Sequence, residues 1–262
     1  MKVLAILRKE WAEMIKNRMV FFTVVGLPII LALIPATAML IAPGKPPNMT
    51  EQQLRAITQL SPALALVGPE KLGMLFLVNQ FLLMLLIVPL AIPMTISTYG
   101  IIGEKQERSL EPLLATPIEV WELLLGKSLG ATLPGVIVTW FAYLVVAMES
   151  VLFVRDPAVT GAILSPTWLL AMGILAPLFT LLSVGLGIIV SSRMSDPRAA
   201  QQVGMIVILP ILALVIGTAT GAISLGPFMV LLTALVVGAA AAGVLYLAVR
   251  LFGRETILTR WK

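Results

Sequence analysis

The sequence predicts an all-α membrane protein with six transmembrane helices. Of the 262 residues, 59% are hydrophobic and 12% are charged, and the mean hydropathy is +1.03. Because soluble domains carry about 25% charged residues, a water-soluble fold of this length lacks the polar surface to cover so many apolar side chains. The sequence contains no cysteine and no histidine. This composition excludes disulfides, thiolate or imidazole metal ligands and a Ser-His-Asp nucleophile.

Residues 1–19 are predicted to form an amphipathic helix in the membrane interface, ahead of a transmembrane domain over residues 20–262. Apolar residues at helical spacing occupy one side, namely Leu4, Leu7, Trp11, Met14 and Ile15. The other side is mostly basic, with Lys2, Arg8, Lys9, Glu13 and Lys16. Such a helix lies with its apolar side in lipid and its basic side toward the headgroups.

Six apolar runs reach the length of about 20 residues that a helix needs to cross a bilayer. They are Val20–Ala42, Leu72–Ile101, Ser128–Met148, Trp168–Val190, Val203–Thr220 and Pro227–Leu251. Prolines inside the runs are expected to kink the helices because each removes a backbone donor. These are Pro28, Pro35, Pro89, Pro93, Pro134, Pro177 and Pro210. Connections on one side are predicted at residues 43–71, 149–167 and 221–226, the last with room for a re-entrant segment.

The basic residues are divided unequally between the two sides of the predicted bundle. Fourteen basic residues lie on the side that holds both termini and residues 103–127. The other side holds four basic residues, which are Lys45, Arg55, Lys71 and Arg155. Since basic residues concentrate in cytoplasmic loops, both termini and residues 103–127 are predicted to be cytoplasmic. The net charge of +5 is therefore attributed to membrane topology, and no nucleic-acid partner is expected.

Residues 103–127 form a charged stretch between the second and third spans. They hold five of the 13 acidic residues. Thr116, Pro117 and Glu119 have the pattern of a helix start with a capping box, so a helix is expected from Thr116 into the third span. A short helix fits before it, at about Ser109–Ala115.

The short helix places leucines beside charged residues. The leucines are Leu110, Leu113 and Leu114, and the charged neighbours are Glu104, Glu107, Arg108 and Glu111. We interpret this stretch as a docking surface for another protein. The alternative is an ordinary hairpin between two spans.

Residues 121–128 nearly match the phosphate-loop pattern of nucleotide-binding proteins. Trp121 stands where that pattern has its first glycine, and the segment is predicted to be helical instead of a glycine-rich turn. Without the turn there is no cradle of backbone amides for a phosphate. We therefore expect no nucleotide site here, and we expect Lys127 to snorkel at the membrane edge.

Three stretches of the sequence resemble type-2 ABC transporter permeases. The first is Glu104-Lys-Gln-Glu107-Arg108-Ser-Leu110-Glu111-x-Leu113-Leu114-x-Thr116-Pro117, and the second is Trp121-Glu122-Leu-Leu-Leu-Gly126-Lys127. The third is similar to the family's loop between spans four and five, and reads Ser191-Ser192-Arg193-Met-Ser-Asp196-Pro-Arg198-Ala199-Ala200-Gln201-Gln202. Together with the six-span layout, the resemblance covers nearly the whole chain. It is nearest to the group without a large extracellular domain.

The resemblance implies the membrane subunit of an ATP-driven exporter in the plasma (inner) membrane. Such a permease forms the translocation path as a dimer, with a second copy of itself or with a relative. Each half binds a separate ABC ATPase subunit, which brings ATP and magnesium, so the chain itself is not expected to be an enzyme or to hold a cofactor. The short helix at Ser109–Ala115 would be a cytoplasmic coupling helix between spans two and three.

The resemblance also implies which residues meet the ATPase. They are Glu104, Glu107, Arg108, Leu110, Glu111, Leu113, Leu114, Thr116 and Pro117. The second cytoplasmic loop would flank them with Arg193, Asp196, Arg198 and Gln201.

Few polar side chains remain inside the predicted spans. Candidates for lining a translocation path are Asn79, Gln80, Thr95, Thr98, Tyr99, Thr139 and Tyr143. The alternative for each is helix packing or a hydrogen bond to the backbone. No charged residue lies well inside a predicted span, which favours a hydrophobic or amphipathic substrate. An ATPase-independent secondary transporter or channel is the alternative function.

Overall fold

The computed structural model describes residues 2–41, 50–51, 69–107 and 120–251. This part of the chain is almost entirely helical and has no strand. Its helices are α1 (Lys2–Lys16), α2 (Arg18–Ile41), α3 (Pro69–Leu85), α4 (Val88–Gln106), α5 (Val120–Glu149), α6 (Pro157–Ile163), α7 (Pro166–Leu170), α8 (Ala176–Arg193), α9 (Pro197–Gly204), α10 (Leu209–Ala219) and α11 (Pro227–Leu251). Shorter turns join some of them, with π geometry at Ser150–Val154 and Ala171–Leu175 and 3₁₀ geometry at Met205–Ile208.

Six helical stretches of the described chain are long and apolar enough to cross a membrane, which confirms the predicted number of spans. They are Arg18–Pro35, Gly73–Gln106, Trp121–Val154, Pro157–Arg193, Pro197–Ala219 and Pro227–Leu251. α1 precedes them as a separate helix, as predicted. The corner between α1 and α2 is made by Asn17, whose Oδ1 accepts from the amides of Met19 and Val20 at 3.1 and 3.3 Å.

The second span is broken into α3 and α4 at Leu86 and Ile87. The amides of these two residues donate to carbonyls only three positions back, Leu83 and Met84, each at 3.0 Å. α4 then begins with Pro89 in its first turn, where a missing amide costs no helical hydrogen bond. Proline was expected to kink this span, and the structure has a break just ahead of Pro89.

α4 occupies the centre of the bundle. Every residue from Val88 to Thr98 is buried, and the helix packs against α2, α5, α8 and α9. Glycines let α8 and α9 approach this closely, since a Cβ on Gly187 would lie 2.6 Å from the Ser97 hydroxyl. α4 thus leaves little space along the bundle axis, which matters for where a substrate passes.

Residues 149–167 were predicted to form a loop between the third and fourth spans. This prediction is wrong, because most of these residues are helical. Pro157 and Pro166 look like helix breakers in the sequence, but each stands in the first turn of a helix, where proline is favoured. Asp156 caps α6, and its Oδ1 accepts from the amide of Ala158 at 2.9 Å. The fourth span therefore starts about ten residues before its predicted beginning.

The connection at residues 221–226 is a short turn instead of a re-entrant segment. α10 ends at Ala219, and α11 begins at Pro227. Gly221 has a φ of 76°, a left-handed conformation that glycine adopts without a steric penalty. The amide of Ile223 donates to the carbonyl of Gly217 at 3.0 Å and closes the turn.

The outer faces of α2, α10 and α11 are apolar, as expected of helices that meet lipid. Phe22, Ile216 and Phe228 expose 69%, 64% and 78% of their surfaces. Soluble monomers rarely expose contiguous apolar surface on this scale. The end of the bundle formed by α1, the last turn of α4 and the first turn of α5 is called the α1 end below.

Candidate functional site

Four charged side chains from three helices meet at the α1 end. The Nζ of Lys127 on α5 lies 2.6 Å from Oε1 of Glu10 on α1 and 2.7 Å from Oε2 of Glu104 on α4. The Nζ of Lys9 on α1 lies 2.6 Å from Oε1 of Glu104. We call Lys9, Glu10, Glu104 and Lys127 the charge cluster. Two ammonium and two carboxylate groups make it neutral as a whole.

Three members of the charge cluster are almost fully buried. Glu104, Lys127 and Glu10 expose 4%, 5% and 6% of their surfaces. Removing such ions from water is costly, and a buried ion pair adds little net stability over apolar residues of the same size. Its consequence is positional, because the pairs hold α1, α4 and α5 in the placement observed here. The charge cluster therefore fixes α1 to the two helices that flank residues 108–119.

Lys9 is the half-exposed member of the charge cluster. Burial alone would lower the pKa of Lys9. The hydrogen bond that Lys9 donates to Glu104 and the charges of Glu104 and Glu13 outweigh burial and raise this pKa above its usual value. Burial raises the pKa of Glu13, against the opposing effect of Lys9 at 3.5 Å. Lys9 thus stays protonated and paired throughout the physiological pH range.

α1 runs alongside the start of α5, in the same direction. Three contacts keep one offset of 120 positions along the sequence: Lys2 to Glu122, Ile6 to Gly126 and Glu10 to Gly130. A Cβ on Gly126 would lie 2.8 Å from Ile6, and one on Gly130 would lie 3.0 Å from Glu10. The two glycines, one turn apart on α5, form the groove in which α1 rests. This explains how the carboxylate of Glu10 comes within reach of Lys127.

The last turn of α4 is also bound to the end of α8. The Nζ of Lys105 donates to the carbonyls of Ser191, Ser192 and Met194, at 3.0, 3.0 and 3.3 Å. The side-chain amide of Gln106 donates to the carbonyl of Ser195 at 2.9 Å. Carbonyls at a helix C-terminus lack intrahelical donors and carry partial negative charge, so a lysine is well suited to this place. α4 is thereby tied both to α1 and α5 and to the connection between α8 and α9.

A family model matches residues 4–226 of the chain, and it describes the ABC-2 family transporter protein. The chain belongs to the ABC-2 transporter family. It is a multi-pass membrane permease, the membrane subunit of an ABC transporter, as the sequence motifs indicated. No curated protein matches the chain.

The structure corrects the expected role of Glu104 in this ABC-2 permease. Glu104 was predicted to lie on the ATPase-docking surface, but it is buried and paired within the chain. Lys127 was predicted to snorkel and is instead enclosed by carboxylates. Glu107, which ends α4, is exposed. The other predicted docking residues lie outside the described residues: Arg108, Leu110, Glu111, Leu113, Leu114, Thr116 and Pro117.

The second predicted loop lies next to the charge cluster's helices. Arg193 ends α8 and is exposed, and Asp196 caps α9 by accepting from the amide of Arg198 at 2.9 Å. The side-chain amide of Gln201 donates to the hydroxyl of Thr95 on α4 at 2.7 Å. Gln201 therefore acts within the fold, whereas Arg193 and Arg198 present their charges at the surface.

Most of the predicted path residues make hydrogen bonds within one helix or between two helices. The hydroxyls of Thr95, Thr98 and Thr139 each donate to a carbonyl four residues earlier, and that of Tyr143 donates to the carbonyl of Ile163. Gln80 on α3 is hydrogen-bonded to Thr218 on α10 at 3.1 Å. Asn79 is buried, and Tyr99 lines a cleft of about 470 Å³ beside α1. These hydrogen bonds match the alternative stated above for Gln80, Thr95, Thr98, Thr139 and Tyr143, and a role in transport stays a prediction.

Three carboxylates near this cleft lie close enough to suggest a cation site. Oxygens of Glu10, Glu13 and Glu104 fall within 4.8 Å of one another. The ammonium groups of Lys9 and Lys127 already stand among them, so a metal ion would meet strong repulsion. We assign no metal to the group.

Sequence reasoning missed Glu10, Lys9 and Lys105. Glu10 had a signal: it is an acid on the side of α1 that also carries Ile6, which is the side that packs on the protein. The spacing of Gly126 and Gly130 permits a close helix approach, but the spacing does not identify the partner helix. Which helix fills such a groove depends on tertiary packing, and a single sequence does not encode that pairing locally.

Proposed function

We propose that this ABC-2 permease forms the translocation path of an ATP-driven exporter and is driven by separate ATPase subunits that bind ATP and magnesium. The observation that carries this proposal is the charge cluster. α4 ends at Gln106 and α5 begins at Val120, so residues 108–119 connect these two helices in the sequence. The ion pair between Glu104 and Lys127 joins the neighbouring ends of the same two helices. A force applied to this segment would reach both helices at once.

The same contacts give the force a route into the bundle. Through Glu10 and Lys9 the charge cluster engages α1, and through Lys105 the end of α4 engages α8. α4 continues from there into the buried centre of the fold. We infer that the ATPase docks on the coupling helix expected at 109–115 through Leu110, Leu113 and Leu114, with Glu107 at the rim, and moves these helices as a group.

The packing of α4 supports a dimer. A path along the axis of one copy would have to displace a helix whose residues from Val88 to Thr98 are all buried. A path between two copies requires no such change. The partner copy is either a second molecule of this chain or a relative. The lack of charged residues well inside the predicted spans favours a hydrophobic or amphipathic substrate.

Docking is tested with Leu113→Asp and Leu114→Asp. The tagged full chain is purified from its native membranes, and copurified ATP hydrolysis is measured. Both variants should lose most of this activity, because a carboxylate in an apolar interface stays unpaired and desolvated. The matched control is Leu164→Asp at the opposite end, where the leucine is 46% exposed, and it should retain the ATPase.

Full ATPase recovery with both docking variants would exclude this surface. Substrate flux driven by an ion gradient in liposomes that contain this chain alone would instead support the secondary-transporter alternative.

Orientation is tested with single cysteines, since the natural sequence has none. We propose that the α1 end and both termini face the cytoplasm and that the protein resides in the plasma (inner) membrane, because basic residues concentrate at that end. In intact cells, a membrane-impermeant maleimide should label Arg155→Cys and should spare Glu107→Cys. The reverse labelling would overturn both the orientation and the docking proposal.

A further inference from the structure

The face of α1 that points away from the bundle is apolar with one charge at its middle. Leu4 and Ile15 expose 54% and 63% of their surfaces, and Trp11, whose indole bonds to α5, lies at the edge of this face with 36% exposed. Between them Arg8 is exposed, and Ala5 and Ala12 lie on the same side. At 100° per residue these six positions cluster around Arg8. We call Leu4, Ala5, Arg8, Trp11, Ala12 and Ile15 the outer face of α1.

The opposite face of α1 is polar, because it carries the residues that join the charge cluster. Ile6 and Glu10 are the buried residues of this helix. Lys9 and Glu13 are half-buried beside them, and Lys9 pairs with both Glu13 and Glu104. The usual arrangement of an amphipathic helix on a protein is thus inverted: the acids point inward, and the apolar residues remain outside.

Lipid is the occupant that fits the outer face. α2 follows α1 directly after Asn17, and the first turns of this apolar span expose 52% of Met19 and 69% of Phe22. Leucine, isoleucine and tryptophan side chains around a single arginine are typical of helices at the boundary between acyl chains and headgroups.

Among the residues that the structure describes, none forms an ion pair with Arg8. The residues three and four positions away from it are Leu4, Ala5, Trp11 and Ala12. No ion pair joins Arg8 to any side chain that the structure describes, whereas Lys2, Lys9 and Lys127 each have a carboxylate. The guanidinium of Arg8 is exposed, and its planar group can make bidentate contact with a phosphate.

We propose that the outer face of α1 is a binding surface for anionic phospholipid, with Arg8 contacting the headgroup phosphate. The proposal does not depend on the ATPase or on the direction of transport. Attraction of one basic residue to an anionic membrane surface corresponds to about fivefold local enrichment of anionic over zwitterionic lipid. This enrichment should decline as salt is raised, because exposed charges are screened.

The test places a fluorophore next to Arg8 and measures which lipid approaches it. The full chain carrying Ala5→Cys, its only cysteine, is labelled and reconstituted in equal mixtures of phosphatidylcholine and phosphatidylglycerol. Brominated acyl chains are carried by one lipid or by the other, and quenching is compared. We expect brominated phosphatidylglycerol to quench several times more efficiently, with the ratio falling in high salt.

Variants assign the effect to the arginine. Arg8→Gln should bring the quenching ratio close to one, and Arg8→Lys should preserve most of the preference. Arg155→Gln, the same change on an exposed arginine at the opposite end, should leave the ratio unchanged. Equal quenching by the two lipids, or a ratio that Arg8→Gln does not alter, would overturn the proposal. Absence of quenching by either lipid would also overturn it and would assign the outer face to a protein partner.

Discussion

The indole N–H of Trp11 donates to the backbone carbonyl of Gly130 at 3.2 Å. In an α-helix this carbonyl accepts from the amide four residues further on, but that residue is Pro134, which has no amide proton. Trp11 therefore supplies from α1 the hydrogen bond that α5 cannot make for itself. Membrane helices with internal prolines depend on neighbouring helices to satisfy carbonyls freed in this way.

Trp140 makes the same kind of contact deeper in the bundle. Its indole N–H donates to the carbonyl of Met172 at 2.7 Å. In the π-helical turn that begins at Ala171, amides donate to carbonyls five positions back, and the residue five positions after Met172 is Pro177. Two tryptophans thus replace the donors that two prolines remove. Trp11 joins α1 to the third span, and Trp140 joins the third span to the fourth.

Trp11→Phe should destabilise the protein by about 1–3 kcal/mol, because it leaves the Gly130 carbonyl buried without a donor. The aromatic ring is kept, so the loss reports mainly on the hydrogen bond. Thermal unfolding of the full chain in mild detergent measures it.

Pro134→Ala provides the internal control for Trp11. An alanine at position 134 restores the helical amide, so Trp11→Phe should cost clearly less in that background. An equal cost of Trp11→Phe with and without Pro134 would show that the indole contributes by packing and not by replacing the lost donor.

The sequence predicted the parts of this fold that depend on local pattern. Hydropathy placed all six spans, and the break ahead of Pro89 followed from proline chemistry. The connection at residues 149–167 was missed because proline in a first helical turn has the same sequence signature as a helix breaker. The charge cluster was missed for another reason: Glu10 and Lys127 are 117 positions apart, and each alone resembles an ordinary surface charge.

Lys127→Met should destabilise the protein by about 3–5 kcal/mol, because it leaves the carboxylates of Glu10 and Glu104 buried without their shared cation. Adding Glu10→Gln to this variant should recover part of the loss, since it removes one uncompensated charge. The free energy of unfolding of the single and double variants gives the coupling.

Lys16→Met is the matched control for Lys127→Met, because Lys16 is exposed at the end of the same helix that carries Glu10. Its effect should stay within about 0.5 kcal/mol. If both lysine variants cost the same, the charge cluster does not hold the three helices together.

Gly126→Ala should destabilise the contact between α1 and α5 by about 1–3 kcal/mol, because the new Cβ would lie 2.8 Å from Ile6. Ile6→Ala should relieve this overlap, so the double variant should be more stable than the sum of the two single effects predicts. Gly243→Ala on α11, where a Cβ meets nothing within 4 Å, should be neutral or slightly stabilising. Comparable losses at both glycines would contradict the close packing inferred for α1.

Lys105→Met should loosen the connection between α8 and α9 while leaving the charge cluster intact. The variant removes a donor to three carbonyls at the end of α8, and the freed groups must then find water. Backbone amides of residues 191–198 should exchange with deuterium about tenfold faster for each 1.4 kcal/mol of lost stability, whereas exchange in α1 should not change. If α1 exchanges faster as well, the two sets of contacts on α4 form one cooperative unit. Unaltered exchange at 191–198 would mean that Lys105 does not hold α8.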